Sequence, residues 1–242
     1  KKCHNKHRAD HLIEDKLDKN VEGLSIEKIT EILKKNDIKC PTCGGMLEDT
    51  ESFNLMFPVQ LGADSSTEAT AYLRGETAQL IFVAFKSVVN SSRVKLPFGI
   101  AQMGKAFRNE ISPRNFLFRL REFEQMEIEY FIRPETKKCP LLADKHTELE
   151  FNFLSKEDQK KEKKHAPVKM QDLIKKKKIG EWHAYWLGES YLWFKDLGIK
   201  DKNMRIREHT DDELSHYSKA TFDIDYNFPF GWKEIYGNAD RG

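Results

Sequence analysis

Two groups of residues have the types and spacing to do chemistry. The first is Cys40-Pro41-Thr42-Cys43-Gly44-Gly45, a C-x-x-C pair whose glycines permit the tight turn that lets both thiolates face one metal ion. Cys3 reads as the end of a second such pair, with His4 beside it as a substitute ligand, and zinc is the metal this set would hold. The distance from Cys3 to Cys40 requires the segment between them to fold back. Cys139, next to Pro140, reads as an ordinary thiol.

The second group lies on residues 116–131, which read as one long strand. Side chains two apart share a face, so Arg119, Arg121, Phe123, Gln125, Glu127 and Glu129 point one way. Phe118, Leu120, Met126, Ile128 and Tyr130 point the other way, and that apolar face is expected to be core. Glu122 and Glu124 interrupt it, which predicts either pairing of those carboxylates or a bulge that resets the register. Cations, carboxylates and a ring on one face suit the floor of a site for a nucleotide and a charged small molecule. A solvent-facing side of an antiparallel sheet has the same composition, and the strand alone does not separate the two readings.

Other elements must position these residues. Leu12, Ile13 and Leu17 form one helical stripe, and Ile26, Ile29, Ile32 and Leu33 form a second after Ser25, a capping residue. Ile81, Phe82, Phe85, Val88 and Val89 predict a packed helix over 78–89. Residues from Pro97 alternate as a strand, a polar turn spans Asn109 to Asn115, and the long strand then returns antiparallel. Further on, Trp182, Tyr185, Trp186, Tyr191, Leu192 and Trp193 predict a core helix, and strands are expected near 204–207, 221–224 and 232–236. His209 and His216 receive no role.

The chain has 242 residues with 39% hydrophobic and 33% charged side chains, enough apolar material for a core, which excludes a disordered tail. Mean hydropathy is −0.68 and no segment has the run of about 20 apolar residues that spans a bilayer, so a soluble protein without membrane contact is expected. Four cysteines and no signal peptide predict a reducing cytoplasm. Net charge is +2, but the stretch from Lys156 to Lys178 holds ten lysines against Glu157, Asp158, Glu162 and Asp172, so the basic charge is local. Such a run is either a solvated face or a contact to a nucleic-acid backbone. The chain opens on Lys1-Lys2-Cys3 without an initiator Met and ends on Asp240-Arg241-Gly242, and it is expected to be an internal piece of something longer.

The segment from Phe107 to Glu129 has the layout F-R-x-E, a loop, then R-x-x-x-F-x-x-x-E. This resembles motif 2 of the class II aminoacyl-tRNA synthetases. The nearest family is glycyl-tRNA synthetase of the dimeric archaeal and eukaryotic type, on four further stretches in order: Arg8 to Glu14 (RADHLIE), Ser52 to Phe57 (SFNLMF), Tyr72 to Gln79 (YLRGETAQ) and Gly231 to Arg241 (GWKEIYGNADR). The resemblance implies an α+β fold, an antiparallel β-sheet flanked by helices with inserted subdomains. It implies pieces at 1–50 (a helical, zinc-knuckle insert), 51–135 (the first catalytic part, with motif 2), 136–180 (the Lys-rich insert) and 181–242 (the second catalytic part, without motif 3).

The implied activity is ATP-dependent formation of glycyl-adenylate and transfer to tRNA(Gly). Arg108 is the implied catalytic cation at the α-phosphate, where charge develops during in-line attack. Glu110 reads the adenine side, Arg119 lies by the phosphates and Phe123 stacks under the ring. Asn109, Phe118, Leu120, Glu234 and Ile235 complete the ATP site, with Glu234 as an ATP or Mg²⁺ contact. Glu76 and Glu127 are implied to hold the glycine ammonium, with Gln125 and Arg8 on the same side. Glu76 also reads as an acid complementing a helix N-terminus. A homodimer is implied for the parent protein, with the Lys-rich insert touching the tRNA acceptor arm. Gly75 departs from the family's usual Pro. Without motifs 1 and 3 and the anticodon-binding domain, the isolated chain is expected to have little or no activity. Two other classes remain: a synthetase-like accessory subunit that binds only nucleic acid, and a zinc-ribbon RNA-binding module.

Overall fold

The computed structural model describes residues 3–17, 21, 24–62, 69–111, 113 and 115–242. Ser112 and Arg114, in the expected turn, and the opening Lys1-Lys2 lie outside the described residues. The chain divides into two compact units, Lys1–Ile132 and Arg133–Gly242. The pieces expected at 1–50 and 51–135 thus fall almost entirely in the first unit, and those at 136–180 and 181–242 in the second.

In the first unit, α1 (Ala9–Leu17) and α2 (Ile26–Lys35) pack through Ile13, Val21, Leu33 and Ile38, all buried. Ser25 caps α2 by accepting a hydrogen bond from the Lys28 amide, as its position predicts. β1 (Phe57–Gln60) pairs antiparallel with β2 (Thr70–Leu73). α3 (Ala78–Ser92) then lies against a second ribbon, β3 (Phe98–Phe107) with β4 (Glu122–Phe131), in unbroken antiparallel register from Phe98↔Phe131 to Phe107↔Glu122. Phe85 of α3 meets Phe98 at 5.6 Å and Phe131 at 4.7 Å, which anchors the helix over one face of that ribbon.

Two expectations about this ribbon are corrected. Residues 116–131 do not form one strand: Phe116–Phe118 make a 3₁₀ turn, and Asn115 and Phe116 have φ of 60° and 54°, a left-handed conformation no strand accepts. β4 therefore starts at Glu122, and Phe118, Arg119, Leu120 and Arg121 belong to the loop. The face assignment is also reversed. Phe123, Gln125, Glu127 and Glu129 lie on the half-buried side, while Met126 and Ile128 are 56% and 49% exposed. The reason is α3: its rings cover the face that carries Phe98, Ile100 and Phe131, and the polar residues between these anchors are drawn under the same cover. Glu122 and Glu124 are satisfied by pairing and not by a bulge, with Lys105 Nζ at 3.2 and 3.9 Å.

The second unit is a five-stranded mixed sheet in the order β6 (Ala166–Lys169), β5 (Glu150–Leu154), β7 (Met204–Glu208), β8 (Ala220–Phe228), β9 (Gly231–Asp240). All neighbours are antiparallel except β5 and β7, which are parallel. The strands of the Lys-rich stretch thus pair with those after residue 200. α4 (Asp144–Thr147), α5 (Lys156–Lys160), α6 (Met170–Lys175) and α7 (Glu181–Asp196) complete the unit. Leu187 and Tyr191 of α7, Met170 and Leu173 of α6 and Phe151, Met204, Ile206, Phe222 and Ile224 of the sheet form one buried core. Trp182 and Tyr191 are core as expected, but Trp193 is 48% exposed and lies outside it. The protein is mixed α+β, and no helix among the described residues is long and apolar enough to cross a membrane.

Candidate functional site

The loop between β3 and β4 is closed at its base by the Arg108 amide, which donates to the Arg121 carbonyl at 2.9 Å. That places Arg108 at the strand end, where its guanidinium lies over the Phe123 ring (5.3 Å to the centroid) and its Nε donates to the Gly75 carbonyl at 3.2 Å. The Asn109 amide bonds the Leu55 carbonyl. Glu110 is only 6% exposed, and three cations surround it: Arg8 Nη1 at 3.5 Å, Arg119 Nη1 at 3.4 Å, and Arg121, whose Nε bonds its backbone carbonyl at 2.9 Å. Burial without such partners would cost the carboxylate several kcal/mol. Arg8 is held in turn by Asp10 at 3.1 and 2.5 Å, and this pairing raises the Arg8 pKa. Asp10 is lowered: burial pushes it up, but the Arg8 bonds outweigh that.

The two glutamates implied for the ammonium meet at the N-terminus of α3. Glu127 Oε2 accepts from the Thr77 amide at 2.6 Å and also from the Thr77 hydroxyl, so a carboxylate from β4 caps the helix. Glu76 accepts from Gln79 at 2.5 Å. Gln125 Oε1 is buried and has no hydrogen-bond partner among the described residues, which makes it an acceptor without a donor on the same strand face. Contacts therefore run continuously from Phe123 through Arg108, Gly75, Glu76 and Thr77 to Glu127. Sequence reading passed over Thr77, although it stands within YLRGETAQ directly before the helix. It also missed Arg74, which donates to the Lys105 carbonyl at 2.6 Å and crosses Gly104 so closely that a Cβ there would collide with its guanidinium. Phe118 and Leu120 lie in the loop, with Phe118 36% exposed.

Glu234 and Ile235 lie on β9 of the second unit. Asp225 faces Glu234 and Ile224 faces Tyr236, so Ile235 is the extra residue of a β-bulge, and its side chain packs on the core. Around Glu234 is a set of charges that sequence reading did not assign. Arg207 reaches Glu213 at 2.9 Å and Asp223 at 2.6 Å, Arg205 reaches Asp225 at 2.9 Å, and His209 Nε2 lies 2.7 Å from Asp223. Asp223 and Asp225 are almost fully buried. The protein crowded around Glu234 and the charge on Asp223 push its carboxyl up to about 7, although one side of the residue still meets solvent. Gly237 leaves room for both acids, since a Cβ there would stand 3.1 Å from Glu234 Oε1 and 3.5 Å from Asp223 Oδ1.

Cys3, Cys40 and Cys43 come together, with sulfurs all within 4.8 Å of one another. The turn is built as its glycines suggest: the Gly44 amide bonds the Cys40 carbonyl at 2.8 Å, and Gly44 has φ +66°. Amides of Cys43 and Thr42 directed at the Cys40 sulfur lower its pKa to about 6. The histidine near this cluster is not His4, which is exposed, but His7, whose Nε2 lies 3.4 Å from Cys40 Sγ. Three thiols at this spacing fit a soft divalent ion. Cys139 is buried, and burial raises its thiol pKa. In the Lys-rich stretch Lys178 is paired with Glu157 at 2.8 Å and Glu208 at 3.3 Å, while Lys175, Lys176 and Lys177 are exposed.

Residues 59–150 match the model of the tRNA synthetase class II core domain (G, H, P, S and T). Over its whole length the chain is 42% identical to a glycine–tRNA ligase of Bacillus cereus (strain ZK / E33L), covering 45% of that protein. It is 43% identical to the glycine–tRNA ligases of Lachnoclostridium phytofermentans and Lysinibacillus sphaericus, again along all of the chain and covering 45% and 44% of those proteins. The chain thus spans less than half the length of these relatives, all of them bacterial.

Proposed function

We propose that this chain is the motif 2-bearing part of a glycine–tRNA ligase of the dimeric class II type, which activates glycine with ATP and transfers it to tRNA(Gly). The observation that carries this reading is the convergence of Arg108, Phe123, Gln125, Glu127 and Glu76 around the N-terminus of α3. Identity to glycine–tRNA ligases along the entire chain supports it. The archaeal and eukaryotic layout read from the sequence extends on this view to bacteria, where the similar proteins occur.

In the proposed reaction a glycine carboxylate oxygen attacks the α-phosphorus of ATP in line, a P–O bond forms, and the bond to pyrophosphate breaks. Arg108 stabilises the charge that builds on the α-phosphate, held in place from two sides by the Gly75 carbonyl and the Phe123 ring. Phe123 supplies a stacking surface for adenine, a contact of roughly 1–3 kcal/mol. Glu110 holds Arg8 and Arg119 beside the nucleotide. Glu76, Glu127 and the free acceptor of Gln125 take the glycine ammonium. A ribose hydroxyl of tRNA then attacks the acyl carbon and AMP leaves. Magnesium, when bound, would neutralise phosphate charge, and the resemblance assigns Glu234 as a carboxylate contact for ATP or magnesium.

The reading includes a structural zinc at Cys3, Cys40 and Cys43, a tRNA-backbone contact at the exposed Lys175–Lys177 and a cytoplasmic setting in keeping with four free thiols. It also includes a homodimeric parent, with the exposed Met103, Met126 and Ile128 in keeping with a protein that covers this ribbon. Calorimetry tests the reading. ATP should bind the chain, glycine should tighten it, Arg108→Ala should weaken ATP about ten- to a hundredfold, and Glu127→Gln should abolish the glycine effect alone. ATP affinity unchanged in Arg108→Ala would overturn the assignment.

A further inference from the structure

From Cys3 to His7 no helix or strand holds the backbone, yet the next residue, Arg8, must reach a buried glutamate 102 positions away. The restraint available is the thiol cluster. Cys3 Sγ and Cys40 Sγ stand 3.6 Å apart, too far for a disulfide at about 2.05 Å. That spacing is close to the edge of about 3.8 Å that a tetrahedron with 2.3 Å metal–sulfur bonds would have. His7 touches this cluster from outside. Its Nε2 is 3.4 Å from Cys40 Sγ but is not among the ligand atoms that all lie within 4.8 Å of one another, so the contact suits an N–H donated to a thiolate.

We propose that a thiophilic divalent cation of the zinc class, held by Cys3, Cys40 and Cys43 with His7 hydrogen-bonded to the Cys40 sulfur, positions Arg8 against Glu110, so that metal occupancy and order in the Arg108–Glu110 motif are coupled. The path is short. The metal ties residues 3–7 to the 40–43 turn, and the turn follows Ile38, which is buried with Ile13 of α1 and Leu33 of α2. Arg8 stands between the tied segment and α1, its carbonyl accepting from the Leu12 amide at 3.2 Å. Its guanidinium is aimed by Asp10, and from there it meets Glu110, which also holds Arg119. Releasing residues 3–7 would remove the restraint that the described residues place N-terminal to Arg8 and leave Glu110 with one cation fewer. The metal site deepens the functional reading, but its effect on Arg8 is a statement about order and can be read without ATP.

The test uses the full chain with zinc or cobalt(II) as probe. One equivalent should bind, with the same thiolate-to-cobalt absorption in the wild type and in His7→Ala, whose affinity should fall about ten- to a hundredfold. Zinc should slow amide exchange about tenfold both at 8–17 and at 108–121. In Arg8→Gln zinc should still bind and protect 8–17 but no longer 108–121, and Arg8→Lys, which keeps the charge, should retain part of that protection. No stoichiometric metal, a histidine nitrogen among the cobalt ligands that disappears in His7→Ala, or equal protection of 108–121 in wild type and Arg8→Gln would overturn the proposal. Failure of every form to bind ATP, with the exchange results intact, would sink the functional reading and leave this one standing.

Discussion

His209 lies 2.7 Å from a carboxylate that is itself 1% exposed, and this pairing makes its charge a matter of fold stability. Burial and the nearby Arg207 lower its pKa, but the bond to Asp223 and the charges of Asp223 and Glu213 outweigh them, so it lies above 6.5. A group whose pKa is raised on folding binds its proton more tightly in the native state. Its stabilisation is therefore complete below 6.5 and lost as pH rises through the native value. Glu234, moved from 4.5 to about 7, has the same sign: stability falls as pH climbs between those values. Above pH 6.5 these two groups should make the second unit lose stability, and His209→Gln should flatten part of that fall; below 6.5 the buried His183, whose pKa burial lowers, works in the opposite direction. An NMR titration should give His209 a midpoint above 6.5, and a midpoint at or below it would contradict the pairing. His209 carries no motif signal, because what matters is a carboxylate fourteen residues away on the neighbouring strand.

At the scale of elements, the N-terminus of α3 has no cap from its own segment: Thr77 makes no side-chain cap bond to the helix, and Glu127 of β4 accepts both its amide and its hydroxyl. Thr77→Val keeps the shape and removes one donor. It should cost about 1 kcal/mol of stability, and it should weaken glycine binding more than ATP binding, since Glu127 loses an orienting bond while Arg108 keeps its own. Equal weakening of both ligands would make Thr77 merely structural. Helices α1, α2, α3 and α7, the antiparallel pairing of β3 with β4 and the three thiols were legible in the sequence, whereas the short α4, α5 and α6 were not. Nor was the burial of the ribbon. Alternation separates two faces but does not say which one a distant helix covers, and Phe85 over Phe98 and Phe131 selected the polar face. The start of β4 was missed for a local reason, the left-handed backbone of Asn115 and Phe116: Asn tolerates it and closes the expected turn, but Phe116 does not announce it. The bulge at Ile235, which packs its side chain on the core, has no signal in the sequence.

At the scale of the whole molecule, the two units differ in how much apolar surface each buries within itself. The second has one continuous core running from α6 and α7 across the sheet. The first has a small cluster around Ile13 and Leu33, and it leaves Val83 79%, Met103 75% and Met126 56% exposed. Hydrophobic burial is the main favourable term in folding, so the first unit is the weaker one, and unfolding should not be two-state. Two transitions are expected, the lower one belonging to residues 1–132. A metal at Cys3, Cys40 and Cys43 binds only the folded form of that unit and stabilises it by about 2.7 kcal/mol at a hundredfold excess over its dissociation constant. At roughly 4 °C per kcal/mol for a unit of this size, a chelator should lower the first transition by about ten degrees. The second transition should not move, since its core holds none of the three thiols. Calorimetry with and without chelator checks this, with tryptophan fluorescence reporting the second unit, because all four tryptophans lie at 182 and beyond. A single transition that chelation shifts as a whole would mean that the units unfold as one.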